Sequence, residues 1–354
     1  MDGPKREKED VGPGGLRGAR RRGIDLARPV AVRSEVLTAG EPLPLVVTPE
    51  TETVDLVSWA SGNREWIESR LREHGALLFR NFGVASVGEF ERFAATQCPE
   101  LFGEYGDLPR DEVSGKVYAS TPYPADQAIL FHNESAHMHR WPMKIFFSCV
   151  IAAESGGETP IVDCRRVFAL LPDSMRTRFA ERGLTYVRNY VEGLDVPWES
   201  FFQTSDRSAV ERYCRESGIE FEWQGESGLQ TRQRAPAVVR HPQTGEMAFF
   251  NQIQLHHPAA LLPAVRESLV ALLGGASLPR NVLYGDGSPI EDEVVQEIQA
   301  LYERIAVRFP WQPGDILMVN NMLVAHSRAP FAGPRKVVVA MGEMVSQKDL
   351  EGAA

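Results

Sequence analysis

Apolar positions fall into helical register soon after Pro42. From Val54 to Glu73, Trp59, Trp66, Ile67 and Leu71 recur roughly on one face, which predicts a helix stopped by Gly75. Ala76-Leu77-Leu78-Phe79-Arg80 then reads as a short buried strand, and Glu89 to Ala95 as a second helix. Between about 117 and 163 the pattern changes. Ile129-Leu130-Phe131, Lys144 to Ile151 and Pro160-Ile161-Val162 are β-rich runs separated by Pro and Gly turns. Helical spacing returns at 165–182, 205–217, 263–273 and 291–304. The last third closes on strands, at 315–320 after the turn Pro313-Gly314 and at 336–341. Strands at both ends, helices between and no regular β-α alternation disfavour a Rossmann sheet. They predict a mainly β core with flanking helices, a jelly roll.

Composition adds bounds. The 354 residues are 43% hydrophobic and 24% charged, enough for a core without disulfide staples and unlike a disordered or fibrous chain. A net charge of −10 argues against non-specific nucleic-acid binding, which needs a basic face. The charge is uneven. Residues 1–34 hold nine basic and five acidic side chains, a net of +4, and include Gly-Pro-Gly-Gly at 12–15. They are expected to form a disordered basic leader ahead of one domain spanning 42–345. No apolar run approaches eighteen residues, so no membrane span is expected, and no apolar segment behind the first charges suggests export. Cys98, Cys149, Cys164 and Cys214 are scattered, with no C-x-x-C pair, which fits a reduced cytoplasm.

The chemistry lies with histidine. His132-Asn133-Glu134 places two metal-competent side chains at i and i+2, and on an extended segment both project from one face. A third ligand from a distant strand completes a two-His-one-carboxylate triad, which leaves three positions open on iron(II). Alone, His-x-Glu is a weak motif, and a lone His326 after an apolar stretch is more often a core histidine. Their company matters more. Arg335 opens a strand nine residues after His326, and a guanidinium at such a position can hold a carboxylate bidentately. Thr159, after Gly156-Gly157-Glu158, offers a hydroxyl to the same carboxylate.

Taken in order, His132-Asn133-Glu134, Trp141-Pro142, Gly157-Glu158-Thr159-Pro160, 320–326 (NNMLVAH) and 330–335 (PFAGPR) resemble the taurine-dioxygenase superfamily of iron(II)- and 2-oxoglutarate-dependent oxygenases. Within it the chain is most similar to the aspartyl β-hydroxylases of syringomycin-type nonribosomal peptide clusters, from about Pro42 to Met341. The resemblance implies a cupin-like double-stranded β-helix. It implies His132, Glu134 and His326 as iron(II) ligands, Thr159 and Arg335 as holders of 2-oxoglutarate, and O2 as the other co-substrate. The activity it implies is hydroxylation of an unactivated C–H of an amino acid, free or tethered to a carrier protein, in natural-product assembly. Glu134 stands where the superfamily most often has Asp. A carboxylate there favours oxygen insertion or desaturation over halogenation, because related halogenases have a small residue at that position.

Two other readings stand beside this one: a catabolic dioxygenase of a small sulfonate or other organic acid, and a metal-binding jelly roll without catalysis. Asn251, in Phe249-Phe250-Asn251-Gln252, and His137 are candidate substrate contacts. His256-His257 reads as part of a strand, where neighbours face opposite ways and cannot share one cation. The expected partner is a small or carrier-borne molecule, neither nucleic acid nor membrane.

Overall fold

Alternation along one long strand organises the molecule. The computed structural model describes residues 31–103, 112–119, 123–190, 193–225 and 228–351, with residues 1 and 3. The expected leader lies almost wholly outside the described residues. Its boundary at 34 falls inside a strand that begins at Val32. Strands are numbered β1–β19 along the described chain. In β7 (Arg140–Ile151), Ile145 and Phe147 enter one apolar cluster while Phe146 enters another, because successive side chains take opposite faces.

That strand is central to an eight-stranded sheet. Its order is β1 (Val32–Val36), β2 (Leu45–Pro49), β3 (Ala76–Phe79), β16 (Ile316–Asn320), β7, β19 (Lys336–Ser346), β5 (Val117–Ala119) and β4 (Glu112–Ser114). The β2–β3 pair is parallel and the others are antiparallel. On one face Phe146, Ile316, Met318, Val338 and Ala340 pack with Ile67, Leu71, Phe90 and Phe93 of the helices Arg64–His74 and Val87–Gln97. On the other, Ile145, Phe147, Val337 and Val339 cluster with Phe131, Ile161, Val162 and Ala325. Those residues belong to a smaller sheet, β6 (Ile129–His132), β17 (Val324–Arg328) and β9 (Ile161–Asp163), joined in the jelly roll by the pair β8 (Ser155–Gly156) and β18 (Phe331–Ala332). The two sheets form the double-stranded β-helix.

A third sheet, β11 (Glu220–Gln224), β12 (Gly228–Ala235), β10 (Leu184–Tyr190) and β15 (Arg280–Tyr284), carries its own cluster around Trp198, Val210 and Leu229. β13 (Val238–Arg240) and β14 (Met247–Phe249) form a hairpin.

Two predicted helices are broken. The first splits at Asn63, which has φ −125° and closes Leu56–Gly62 while preceding Arg64–His74. The run at 165–182 splits at Leu171-Pro172, because proline cannot supply the amide that a continuous helix needs. His256 and His257 also depart from the expected strand: His256 ends the short helix Ile253–His256, and His257 precedes a 3₁₀ turn at Pro258–Ala260. No helix among the described residues is long and apolar enough to cross a membrane.

Candidate metal centre and its cavity

His132 and His326 are cross-strand partners. β6 and β17 run antiparallel with these two residues opposite one another, so their rings lie 4.3 Å apart between centroids. Glu134 reaches the same point by another route. It sits past the end of β6 in a turn, where Ser135 has φ 56°, so strand alternation is not what aligns it with His132. Its Oε2 lies 3.9 Å from Nε2 of each histidine. One donor atom from each of the three buried residues falls within 4.8 Å of the others.

Buried amides hold that turn. The Glu134 amide donates to Asn321 Oδ1 at 2.7 Å, and Asn321 Nδ2 donates to the carbonyls of Glu134 and Pro142, each at 2.9 Å. Asn133, between the two metal-competent residues, donates through Nδ2 to the Asn321 carbonyl at 2.7 Å and accepts the Asn251 amide at 3.1 Å. Gln252 Nε2 donates to the Asn133 carbonyl at 3.0 Å. His132 Nδ1 lies 2.8 Å from the Leu130 carbonyl, which accepts a hydrogen bond from Nδ1 and turns Nε2 toward Glu134. Two imidazole nitrogens and one carboxylate oxygen, buried and convergent, form the donor set that suits non-haem iron(II). Among the described residues no other group of three such side chains meets this way.

The triad opens into a cavity of about 460 Å³. Thr159 and Arg335 both line it. Thr159 Oγ1 accepts the Trp311 indole N–H at 3.1 Å, so its own proton remains to be donated. Arg335 Nε donates to the Gly157 carbonyl at 2.8 Å, and no carboxylate among the described residues pairs with it. Burial, and then the neighbouring Arg328, push its pKa down to about 10. Gly157 has φ 74°, and a Cβ there would lie 3.0 Å from both Cδ and Nε of Arg335, so the close approach requires glycine. The Phe331 ring receives both guanidinia, Arg335 at 5.5 Å and Arg328 at 5.2 Å, and Arg328 also stands over Tyr123 at 5.6 Å.

The substrate candidates lie elsewhere. Asn251 is 1% exposed and off the cavity wall, with Oδ1 accepting the Ile253 amide at 3.0 Å. His137 is buried against His256 and Tyr186, at 4.9 and 5.9 Å between ring centroids, and is not on the wall either. His139 faces Tyr213 and Ser217 on a second cavity. His256 and Gln252 do line the first cavity. All four cysteines are buried, and burial pushes the Cys164 thiol up to about 12. The sequence reading missed Asn321, Trp311 and Arg328. The clue to Asn321 was available: two adjacent amides inside the apolar run 316–325 must find hydrogen bonds.

Fold and site together define a mononuclear iron oxygenase scaffold. The profile of the taurine catabolism dioxygenase TauD, TfdA family matches residues 39–341, and the chain belongs to that family. It is 39% identical over 306 residues to the dapdiamide synthesis protein DdaC of Enterobacter agglomerans, covering 86% of this chain and 92% of that one. It is 31% identical over 328 residues to a clavaminate synthase-like protein of Arabidopsis thaliana, covering 85% and 94%. Among solved structures, PvcB from Pseudomonas aeruginosa is similar with a TM-score of 0.53 at 16% identity, over 88% of this chain and 91% of that one. A second PvcB structure, described as an Fe, alpha-ketoglutarate dependent oxygenase from an isonitrile synthetic pathway, has a TM-score of 0.52 at the same identity and coverage. The chain is an iron(II)- and 2-oxoglutarate-dependent dioxygenase, with O2 as its other co-substrate.

Proposed function

We propose that the enzyme hydroxylates an unactivated C–H of an amino acid, free or carried by a carrier protein, during natural-product assembly. His132, Glu134 and His326 hold the iron(II), and Thr159 with Arg335 hold the distal carboxylate of 2-oxoglutarate. The convergence of the triad at the wall that bears Thr159 and Arg335 carries this reading. The biosynthetic setting is supported by the relative with 39% identity, whose name places it in dapdiamide synthesis.

When bound, iron(II) with 2-oxoglutarate and O2 supplies the oxidising equivalent, and the co-substrate leaves as succinate and carbon dioxide. The chain's own groups set the geometry. Asn133 and Asn321 fix the Glu134 turn, and the Leu130 carbonyl fixes the tautomer of His132. Arg335 and the Thr159 hydroxyl orient the dicarboxylate from its far end. Leu130, Phe147, Val337 and Val339 line the cavity and limit water near the reacting C–H. No side chain acts as a nucleophile.

Anaerobic titration of the apoprotein with iron(II) and 2-oxoglutarate tests this, read by the visible metal-to-ligand charge-transfer band. Wild type forms the band, Glu134→Ala loses iron, and Arg335→Ala needs far more 2-oxoglutarate. A wild-type protein that binds no iron, or binds it without the band, refutes the reading.

A further inference from the structure

Among the described residues the cavity wall bears three cations, and each meets different partners. Arg328 donates to the carbonyls of Tyr123, Pro124 and Gln127, at 3.0, 2.6 and 2.6 Å, and so serves the loop 123–127. Arg335 lines the cavity, as Thr159 does, and is assigned with it to the co-substrate. Arg280 belongs to the third sheet. It opens β15 opposite Arg188 of β10, and Asp195 receives both guanidinia.

Apart from Glu134, Asp195 is the one carboxylate on the described wall. It accepts five hydrogen bonds: two from Arg280 at 2.9 and 2.8 Å, two from Arg188 at 3.2 and 3.4 Å, and one from the Val196 amide at 2.8 Å. Those bonds use the acceptor capacity of two carboxylate oxygens, so Asp195 has little left for a substrate ammonium. Its work is to hold Arg280 side-on. Arg280 nevertheless keeps 21% of its side chain exposed, and it is one of the residues that line the cavity. A guanidinium fixed in this way is preorganised for a planar oxyanion.

We infer that Arg280 is the specificity-determining residue of the substrate half of the cavity, and that it binds a carboxylate of the substrate. The inference rests on the proposed function and deepens it: the amino acid is selected by an acid group and not by its ammonium. Asp195 and Arg188 are positioning residues for Arg280.

The test uses full-length protein loaded anaerobically with iron(II) and 2-oxoglutarate. L-Amino acids, their carboxamide analogues and taurine are titrated against perturbation of the charge-transfer band. In wild type at least one acid perturbs the band, and its amide analogue needs at least about tenfold more. Arg280→Gln abolishes that preference and Arg280→Lys, which keeps the charge without the planar fork, retains only part of it, while both keep the wild-type affinity for 2-oxoglutarate, which shows that the site is folded. The inference is overturned if the band forms but no acid perturbs it, if taurine alone does, or if acid and amide are still told apart in Arg280→Gln. Failure of wild type to form the band at all would overturn the underlying metal-site reading instead.

Discussion

Replacing Asn321 with alanine separates the support of the site from its ligands. The side chain is fully buried and makes three hydrogen bonds, to the amide of Glu134 and to the carbonyls of Glu134 and Pro142. Alanine leaves all three backbone groups buried without this partner, at about 1 kcal/mol each at the low end. The expected loss is about 3 kcal/mol, a large share of the roughly 5–15 kcal/mol that holds a typical domain. With a urea dependence of roughly 3 kcal/mol/M, the apoprotein midpoint should fall by about 1 M. A second effect should accompany it. Glu134 loses the anchor of its turn, so iron(II) affinity should fall by roughly 10- to 100-fold although every ligand is intact. Asn321→Asp sharpens the test: it keeps an acceptor for the Glu134 amide but turns a carboxylate oxygen toward two carbonyls, and should be no better than alanine. Urea denaturation followed by circular dichroism and anaerobic iron titration read the two effects. An Asn321→Ala protein with wild-type midpoint and wild-type iron affinity would refute the argument that this amide holds the turn.

Two further outcomes are expected. Gly157→Ala puts a methyl 3.0 Å from the Arg335 side chain at φ 74°, so 2-oxoglutarate affinity should drop while iron affinity in its absence stays near wild type; equal affinities for both would show that the contact relaxes at no cost. Burial lowers the pKa of His241 from 6.5 to about 4. The unfolded chain therefore takes up this proton first as pH falls, and the stability present above about pH 6.5 declines toward pH 4, by about 3 kcal/mol for this group. Urea midpoints at pH 7, 5.5 and 4.5 should converge between wild type and His241→Gln as pH falls, and parallel declines would count against the assignment.

The strands that build the core were legible because their residues are apolar on both faces. Residues 145–151 are apolar but for Ser148 and 337–341 are apolar throughout, and the structure finds the two runs paired at the centre of the large sheet. Helix breaks were less legible. Asn63 and Leu171-Pro172 interrupt runs whose apolar spacing continues across them, so periodicity reads through the break. The third sheet was missed because β12 carries few apolar residues: buried Leu229 and Thr231 alternate with Gln230 and the exposed Arg232, so its strand character comes from pairing with β10 and β11 and not from composition. At the site, the sequence pointed to His132, Glu134 and His326, but the reason for their meeting differs. His132 and Glu134 converge through an amide-held turn rather than through strand alternation. Asn251, a candidate substrate contact, lies off the cavity wall; its backbone amide donates to Asn133 and its Oδ1 accepts the Ile253 amide.

The pairing of His132 with His326 on one rung also bears on when the protein can acquire its metal. During synthesis, residues 132 and 134 leave the ribosome long before residue 326, and β17 must insert between β6 and β9 before the third donor arrives. Until then a nascent chain offers only two of the three donors. On the proposed ligand set, iron loading at this centre follows closure of the small sheet. A chain truncated or misregistered at β17 lacks the His326 donor, so the three-donor centre is assembled only in molecules whose two halves have already found each other.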